Sequence, residues 1–221
     1  MALTVQICVC CLLWTGSVLG LTFGEHLHEL KTGDEVVYDF QRSVTLLRVL
    51  KTSGTVIKLQ VATATKDVAE REGFSSWLAW ANGGCPGAAT NETLELQIGE
   101  HPMVLSRDAK EAEWLVTLLG LTPSRISDRA RKKAGPAPMP EEIDLRKPWQ
   151  PRVMVDGHNV GGASDAYSFH WPNDTGPLSD RTIIAYFPRS TTAVPALPYW
   201  LESPSSSAYV GVLDSHRDEN S

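Results

Sequence analysis

A proline-rich segment is the feature that most constrains how this chain folds. Residues 134–151 contain five prolines. Each proline fixes φ and removes a backbone donor, which excludes a helix interior or a central strand. The segment is therefore predicted to be an extended strap or linker between two parts of the chain. Its apolar residues Ile143, Leu145 and Trp149 indicate that the strap docks on the protein surface.

The part before the strap, residues 21–133, is predicted to be an α+β domain. Short alternating segments rich in β-branched and aromatic residues favour an antiparallel sheet. Two other segments have apolar residues at helical spacing, which predicts two amphipathic helices packed on that sheet. The predicted strands cover 37–40, 44–50, 56–61 and 94–98, and the helical stripes are Phe74, Trp77, Leu78 and Ala81, then Trp114, Leu115, Leu118 and Leu119.

The part after the strap, residues 152–214, has the pattern of an all-β module. Five short strand-like segments follow one another with turn residues between them, which is typical of a small sandwich or an open barrel. Residues 215–221 contain no apolar side chain and are predicted to be a disordered tail. The predicted strands cover 153–155, 166–171, 182–187, 199–201 and 209–213.

Residues 1–20 have the outline of a signal peptide. The first charged residue of the chain is Glu25, and the apolar stretch before it ends in small residues ahead of a cut at Leu21. The sequence therefore predicts an exported protein, secreted or located in the periplasm or cell envelope. Retention of the same segment as a membrane anchor is the alternative.

Cysteine count and charge narrow the possible functions. Three of the four cysteines lie in residues 1–20, so Cys85 alone would remain and could form no internal disulfide. The formal net charge of −6 gives no basic field, which argues against binding to nucleic acid or to an anionic membrane. No stable membrane span is expected after signal cleavage.

Aromatic residues are concentrated in the C-terminal half, where they suggest a binding surface. Exposed rings give contact area at little entropic cost, and Trp171, Tyr199 and Trp200 are the candidate anchors for a protein or carbohydrate surface. The alternative is that these rings fill the core of a β module that has no disulfide.

A cluster of potential metal ligands follows the strap. Asp156, His158, Asp165, His170 and Asp174 lie within a short stretch, although their spacing matches neither an EF-hand nor a helical zinc motif. Acidic residues at turns also bond the nearby backbone, which is the alternative explanation.

Catalytic motifs are absent from the sequence. It has no Gly-x-Ser-x-Gly elbow, no phosphate-binding loop and no dinucleotide fingerprint, so neither a catalytic residue nor a cofactor is predicted. Asn91 and Asn173 begin Asn-x-Thr sequons and would be glycosylation sites in a eukaryotic host.

These observations favour an exported, non-enzymatic binding or interaction protein that acts through its β module. Two alternatives stay open. The first is a carrier that holds an apolar ligand in a cleft between the sheet and the helices bearing Trp77 and Trp114. The second is a metal-dependent hydrolase that uses the acidic and histidine cluster after the strap.

Overall fold

The structure is a computed structural model that describes residues 23–98, 103–105, 113–175 and 178–218. The predicted signal peptide, residues 1–20, lies outside these ranges. The described residues form twelve strands: β1 (Glu35–Asp39), β2 (Ser43–Ser53), β3 (Val56–Thr65), β4 (Thr90–Gln97), β5 (Met103–Val104), β6 (Ser124–Ile126), β7 (Met154–Val155), β8 (His158–Asn159), β9 (Ser164–His170), β10 (Thr182–Pro188), β11 (Trp200–Glu202) and β12 (Tyr209–His216).

The helices of the described residues are short. They are α1 (Phe23–His26), which continues as a 3-10 turn (Leu27–Glu29), α2 (Val68–Glu72), α3 (Trp77–Asn82) and α4 (Glu113–Leu119). None of them is long and apolar enough to cross a bilayer.

The predicted α+β class is wrong, because the protein is mostly one antiparallel sheet. Ten strands pair in the order β5-β4-β3-β2-β1-β12-β11-β10-β9-β6, and β7 and β8 form a separate hairpin. Of the first predicted helical stripe, Trp77, Leu78 and Ala81 lie in α3, which Ser76 caps, and Phe74 precedes this helix. Gly73, with a φ of +69°, separates α3 from α2. The second predicted stripe, from Trp114 to Leu119, lies in α4, and residues 106–112 before it lie outside the described ranges.

The predicted C-terminal sandwich or barrel is also corrected, because its strands belong to the same sheet as the N-terminal strands. β1 pairs with β12 from Glu35 opposite His216 to Asp39 opposite Gly211. At the far end, β6 pairs with β9. The strap therefore connects β6 of this sheet to the β7–β8 hairpin, and the chain returns to the same sheet at β9.

Both faces of the central strand β1 are covered, and all five of its residues are buried. Side chains alternate between faces. Tyr38 lies in the large core beside α4, with its ring 5.3 Å from that of Trp114. Val37 lies in a second cluster with Trp80 of α3.

The large core joins strands from the two ends of the sheet. Leu59 and Leu94 share one cluster with Phe169 and Ile183, which belong to β9 and β10. The ring of Phe23 on α1 lies 5.1 Å from that of Phe169. The sheet therefore curves around α1 and α4, which fill its concave side.

The predicted disordered tail begins too early. Ser215 and His216 are part of β12, where they pair with Val36 and Glu35. Ser215 is fully buried. The prediction failed because pairing with a strand 180 positions earlier is invisible in the local sequence.

Candidate interaction surface

The strap leaves the sheet and returns to it as a closed stem. The amide of Ala134 donates to the carbonyl of Lys147 at 2.9 Å, and the amide of Trp149 donates to the carbonyl of Lys132 at 2.8 Å. These bonds bring the two ends of the strap together, and residues 136–146 project between them. We call residues 136–146 the strap loop.

Internal contacts order the strap loop. Glu142 and Met139 form a turn, in which the Glu142 amide donates to the Met139 carbonyl at 2.9 Å. Arg146 makes two guanidinium bonds to Asp144 and a third, of 3.1 Å, to the carbonyl of Gly135. The side-chain hydrogen bond from Arg146 lowers the pKa of Asp144 to about 2. The prolines restrict the remaining backbone.

Three large apolar side chains of the strap loop point into solvent. Met139 is 71% exposed, Ile143 is 82% exposed and Leu145 is 85% exposed. The other exposed large hydrophobics of the described ranges are at most 51% exposed. The prediction that Ile143 and Leu145 dock on the surface is therefore wrong, whereas Trp149 does pack on the sheet.

Trp149 joins an aromatic cluster on the outer face of β10–β12. Its ring lies 5.2 Å from Tyr186 and 5.8 Å from Trp200, both at steep angles. Trp200 stacks on Tyr209 at 4.7 Å. The ammonium of Lys132 lies 3.8 Å from the centre of the Trp149 ring, a cation–π contact.

Glu202 connects the polar edges of this cluster. It accepts hydrogen bonds from Tyr186 and from the indole of Trp200, and it pairs with Lys132 at 2.9 Å. Burial, followed by the charge of Glu202, raises the pKa of Tyr186. The faces of Trp200 and Trp149 are thus largely engaged within the protein.

Arg131 connects the base of the strap to strand β9 of the sheet. Its side chain is 1% exposed and donates to the carbonyls of Ser164 and Trp149, to Gln150 and to Asp128. These bonds from the two terminal nitrogens offset most of the cost of burying the guanidinium, and its buried Nε atom has no partner among the described residues. The strap loop is therefore presented from a fixed base.

Comparison with known proteins identifies the family. Residues 45–161, which include the strap loop, match the CT021 protein family. The chain belongs to the CT021 family. A search of curated proteins found no match.

A solved relative has a similar fold. The structure of the hypothetical protein CT021 from Chlamydia trachomatis is 18% identical in sequence, with a TM-score of 0.52, over 90% of this chain and 95% of that one. At this identity the similarity establishes the fold alone.

In this CT021-family chain, two of the three predicted aromatic anchors lie in the core. Trp171 is 2% exposed and Tyr199 is fully buried. The Tyr199 hydroxyl bonds Ser215 at 2.6 Å and accepts from the Val194 amide at 3.1 Å. Neither ring can contact a partner of the folded protein. Trp200 is half-buried within the cluster described above.

The predicted metal ligands are separated and paired with other groups. Asp165 accepts hydrogen bonds from Arg125 and Arg189, both at 2.7 Å. The bond from Arg189 is the main cause that lowers the pKa of Asp165. His170 lies 3.2 Å from Asp180.

The remaining predicted ligands lie elsewhere on the surface. Asp156 pairs with His216 at 2.8 Å, Asp174 accepts from the indole of Trp171 at 2.7 Å, and His158 is exposed in the β7–β8 hairpin. Within the ranges that the structure describes, no three such side chains converge on one point. The cluster predicted for the metal-dependent hydrolase is therefore not assembled among the described residues.

An apolar cavity lies between the sheet and the helices, lined by described residues such as Leu27, Leu59 and Leu115. The enclosed cavity measures about 10 Å³, close to the minimum for a single water. Asp34 is its one charged lining residue.

Cys85 is buried with a φ of +60°, and burial raises the pKa of its thiol, which does not suit a nucleophile.

The two sequons are exposed. Asn91 lies in β4, and its side-chain oxygen accepts a hydrogen bond from the amide of Gln60 at 2.8 Å. Asn173 lies in the loop after β9.

Sequence reasoning missed the strap loop as a surface element. A signal was present, because Met139, Ile143 and Leu145 alternate with acidic residues instead of forming a continuous apolar run. Acidic residues between the apolar ones indicate that the whole segment is exposed to solvent in the free protein.

Proposed function

We propose that this protein is an exported, non-enzymatic interaction protein that binds a partner protein through its strap loop. The observation that carries the proposal is the exposure of Met139, Ile143 and Leu145, at 71%, 82% and 85%. Exposed apolar side chains held together on an ordered loop are typical of a docking element, because burial against a partner removes them from water.

The charge of the strap loop indicates the chemistry of the partner surface. Glu141, Glu142 and Asp144 surround the apolar side chains, and Arg146 neutralises only Asp144 within the described contacts. Carboxylates at this position disfavour an anionic lipid surface. The matching partner surface is an apolar pocket with a basic rim.

A protein partner is favoured over a carbohydrate. Sugar binding uses open aromatic faces, whereas Trp200 stacks on Tyr209 and Trp149 is covered by Lys132. The aromatic cluster supports the base of the strap, and the aliphatic side chains at the tip of the strap loop make the contact.

Export is part of the proposal and is supported by the first twenty residues. Cleavage before Leu21 would keep Phe23 in the mature protein, where this residue is 1% exposed and packs in the main core. The mass of the protein purified from its native host tests this point. A chain that starts at Leu21 supports export with cleavage, and a chain that retains Met1 contradicts it.

Binding is tested with the double variant Ile143→Ser/Leu145→Ser. The partner is first recovered from the native host with the wild-type protein, and its affinity for each purified variant is then measured by calorimetry. Burial of each side chain contributes about 1.5–3 kcal/mol, so we expect affinity to fall by about 100-fold or more. The control is Val160→Ser, because Val160 is 42% exposed on the β7–β8 hairpin. Equal binding by the double variant and the wild type would overturn the proposal.

A further inference from the structure

Met139 differs chemically from the other two exposed apolar side chains of the strap loop. Its side chain is 71% exposed. Its thioether sulfur reacts with peroxides and takes up an oxygen atom, whereas the hydrocarbon side chains of Ile143 and Leu145 do not. The strap loop therefore carries one oxidisable group on the surface assigned above to docking.

The backbone of Met139 is fixed, whereas its side chain lies in solvent. The Met139 amide donates to a carboxylate oxygen of Glu142 at 3.2 Å, and the Met139 carbonyl accepts from the Glu142 amide at 2.9 Å. In the part of the chain that the structure describes, Met139 belongs to none of the core clusters. An oxygen added to this sulfur would therefore change the surface of the strap loop and leave the core intact.

The other methionines of the described residues do not combine these properties. Met103 is 51% exposed and lies in β5, at the end of the ten-stranded sheet opposite to β6, from which the strap starts. Met154 is half-buried in β7, where its carbonyl accepts a hydrogen bond from the Ser215 hydroxyl at 2.7 Å. Among the methionines that the structure describes, only Met139 is both exposed and part of the strap loop.

We propose that Met139 is a site of reversible oxidation by peroxides, and that its sulfoxide weakens docking through the strap loop. In this reaction the sulfur attacks one oxygen of hydrogen peroxide, the O–O bond breaks and an S–O bond forms. The second oxygen keeps its own proton, takes the proton of the first oxygen and leaves as water. The sulfur loses two electrons, which the peroxide gains.

The sulfoxide weakens docking because it is polar. Burying it against an apolar partner surface costs free energy unless the partner supplies a hydrogen-bond donor, whereas the thioether gains from the same burial. A methionine sulfoxide reductase restores the thioether with electrons from two thiols, which form a disulfide. The strap loop would thus bind its partner in the reduced form and release it in the oxidised form. This inference rests on the proposed function of the strap loop.

Peroxide treatment of the purified protein tests where oxidation occurs. The rates of sulfoxide formation at Met139, Met103 and Met154 are measured by mass spectrometry of peptides. We expect Met139 to react fastest, because it is the most exposed of the three. In the variant Met103→Leu/Met154→Leu, peroxide should leave the thermal unfolding midpoint unchanged. A reaction at Met139 no faster than at Met103, or a lowered midpoint, overturns the inference.

Affinity for the partner tests the effect on docking. The partner recovered with the wild-type protein is titrated by calorimetry with Met103→Leu/Met154→Leu and with the matched control Met139→Leu, each before peroxide treatment and after removal of the peroxide. We expect oxidation to weaken binding by about tenfold or more in the first variant and to leave the control unchanged, because leucine has a similar volume and is not oxidised. Treatment with methionine sulfoxide reductases should restore the first variant.

The outcomes separate this inference from the proposed function. Weak binding by Ile143→Ser/Leu145→Ser together with full binding by oxidised Met103→Leu/Met154→Leu overturns the inference and leaves the proposed function in place. Equal binding by Ile143→Ser/Leu145→Ser and the wild type overturns both. An equal effect of peroxide on Met139→Leu and on Met103→Leu/Met154→Leu assigns the effect to another residue and also overturns the inference.

Discussion

At the scale of single residues, Asp34 is a carboxyl group in an apolar setting. It is 1% exposed and lines the small core cavity, and its Oδ1 atom has no partner among the described residues. Burial is the main cause that raises its pKa above 3.8, while the backbone amides near Lys31 and Asp218 and the charge of Arg217 oppose the shift. The ionised form is therefore a cost to the folded protein.

Asp34→Asn should change how stability depends on pH. Because the folded pKa is raised, the folded state binds a proton more readily than the unfolded state. The contribution of Asp34 to the stability of the wild type is therefore most favourable at or below pH 3.8, the pKa of this carboxyl in the unfolded state. This contribution is lost as the pH rises through the pKa of Asp34 in the folded state. We expect the free energy of unfolding of the variant, relative to the wild type, to rise as the pH increases from about 3.8 through the folded pKa of Asp34. Urea unfolding at several pH values measures it, and a pH-independent difference would contradict this cause.

Gly211 leaves room for the Trp200 ring. A Cβ atom at this position would lie 2.7 Å from the Cζ3 atom of Trp200. Gly211→Ala should therefore displace the indole from Tyr209 and cost about 1–3 kcal/mol in unfolding free energy. Gly120→Ala is the matched control, because its nearest contact would be 3.7 Å. Similar unfolding midpoints for both variants would show that the ring moves without cost.

At the scale of elements, local patterns predicted the strands better than the helices. The alternation at 56–61 and the turn at Asp156–Gly157 correspond to β3 and to the β7–β8 hairpin. The apolar spacing from Phe74 to Ala81 predicted a longer helix than α3, which begins at Trp77 and is separated from α2 by the positive φ of Gly73. The pattern alone could not show which rings are exposed, because rings in or beside the sheet, such as that of Tyr199 directly before β11, are buried wherever both faces are covered.

The strap illustrates a second limit of the sequence. Ile143 and Leu145 are apolar, which predicts that they are buried against the protein surface. The hydrogen bonds that close the stem at Ala134 and Trp149 instead leave the loop between them in solvent. Arg131 lies beside this stem, where its buried side chain donates to the carbonyl of Trp149.

Arg131→Met should release the strap. It leaves the carbonyls of Ser164 and Trp149 without their donors, so we expect a loss of about 3 kcal/mol in unfolding free energy. Limited proteolysis with trypsin should cut faster beside Arg146. Arg129→Met, at an exposed neighbour, should change stability by less than about 0.5 kcal/mol. Equal effects at the two positions would contradict the anchoring role.

At the scale of the whole molecule, the pairing of β1 with β12 joins the two halves. Residues of both halves also share the main core, as Leu59 and Phe169 do. No sequence pattern predicts this pairing, because the partners are separated by nearly the whole chain. The division into residues 21–133 and 152–214 stays a prediction about independent folding.

Calorimetric unfolding tests that division. A shared sheet and core predict one cooperative transition in which the calorimetric enthalpy equals the van't Hoff enthalpy. Two separate transitions would instead support two domains that fold independently.

Site-specific photocrosslinking in the native host tests the strap loop most directly. A benzophenone amino acid is placed at Ile143 of the full chain, and the matched control carries it at Val160, on the β7–β8 hairpin. We expect the probe at residue 143 to capture one discrete partner protein that the probe at residue 160 does not capture. Absence of a crosslink from residue 143, or the same products from both positions, would contradict a docking role for the strap loop.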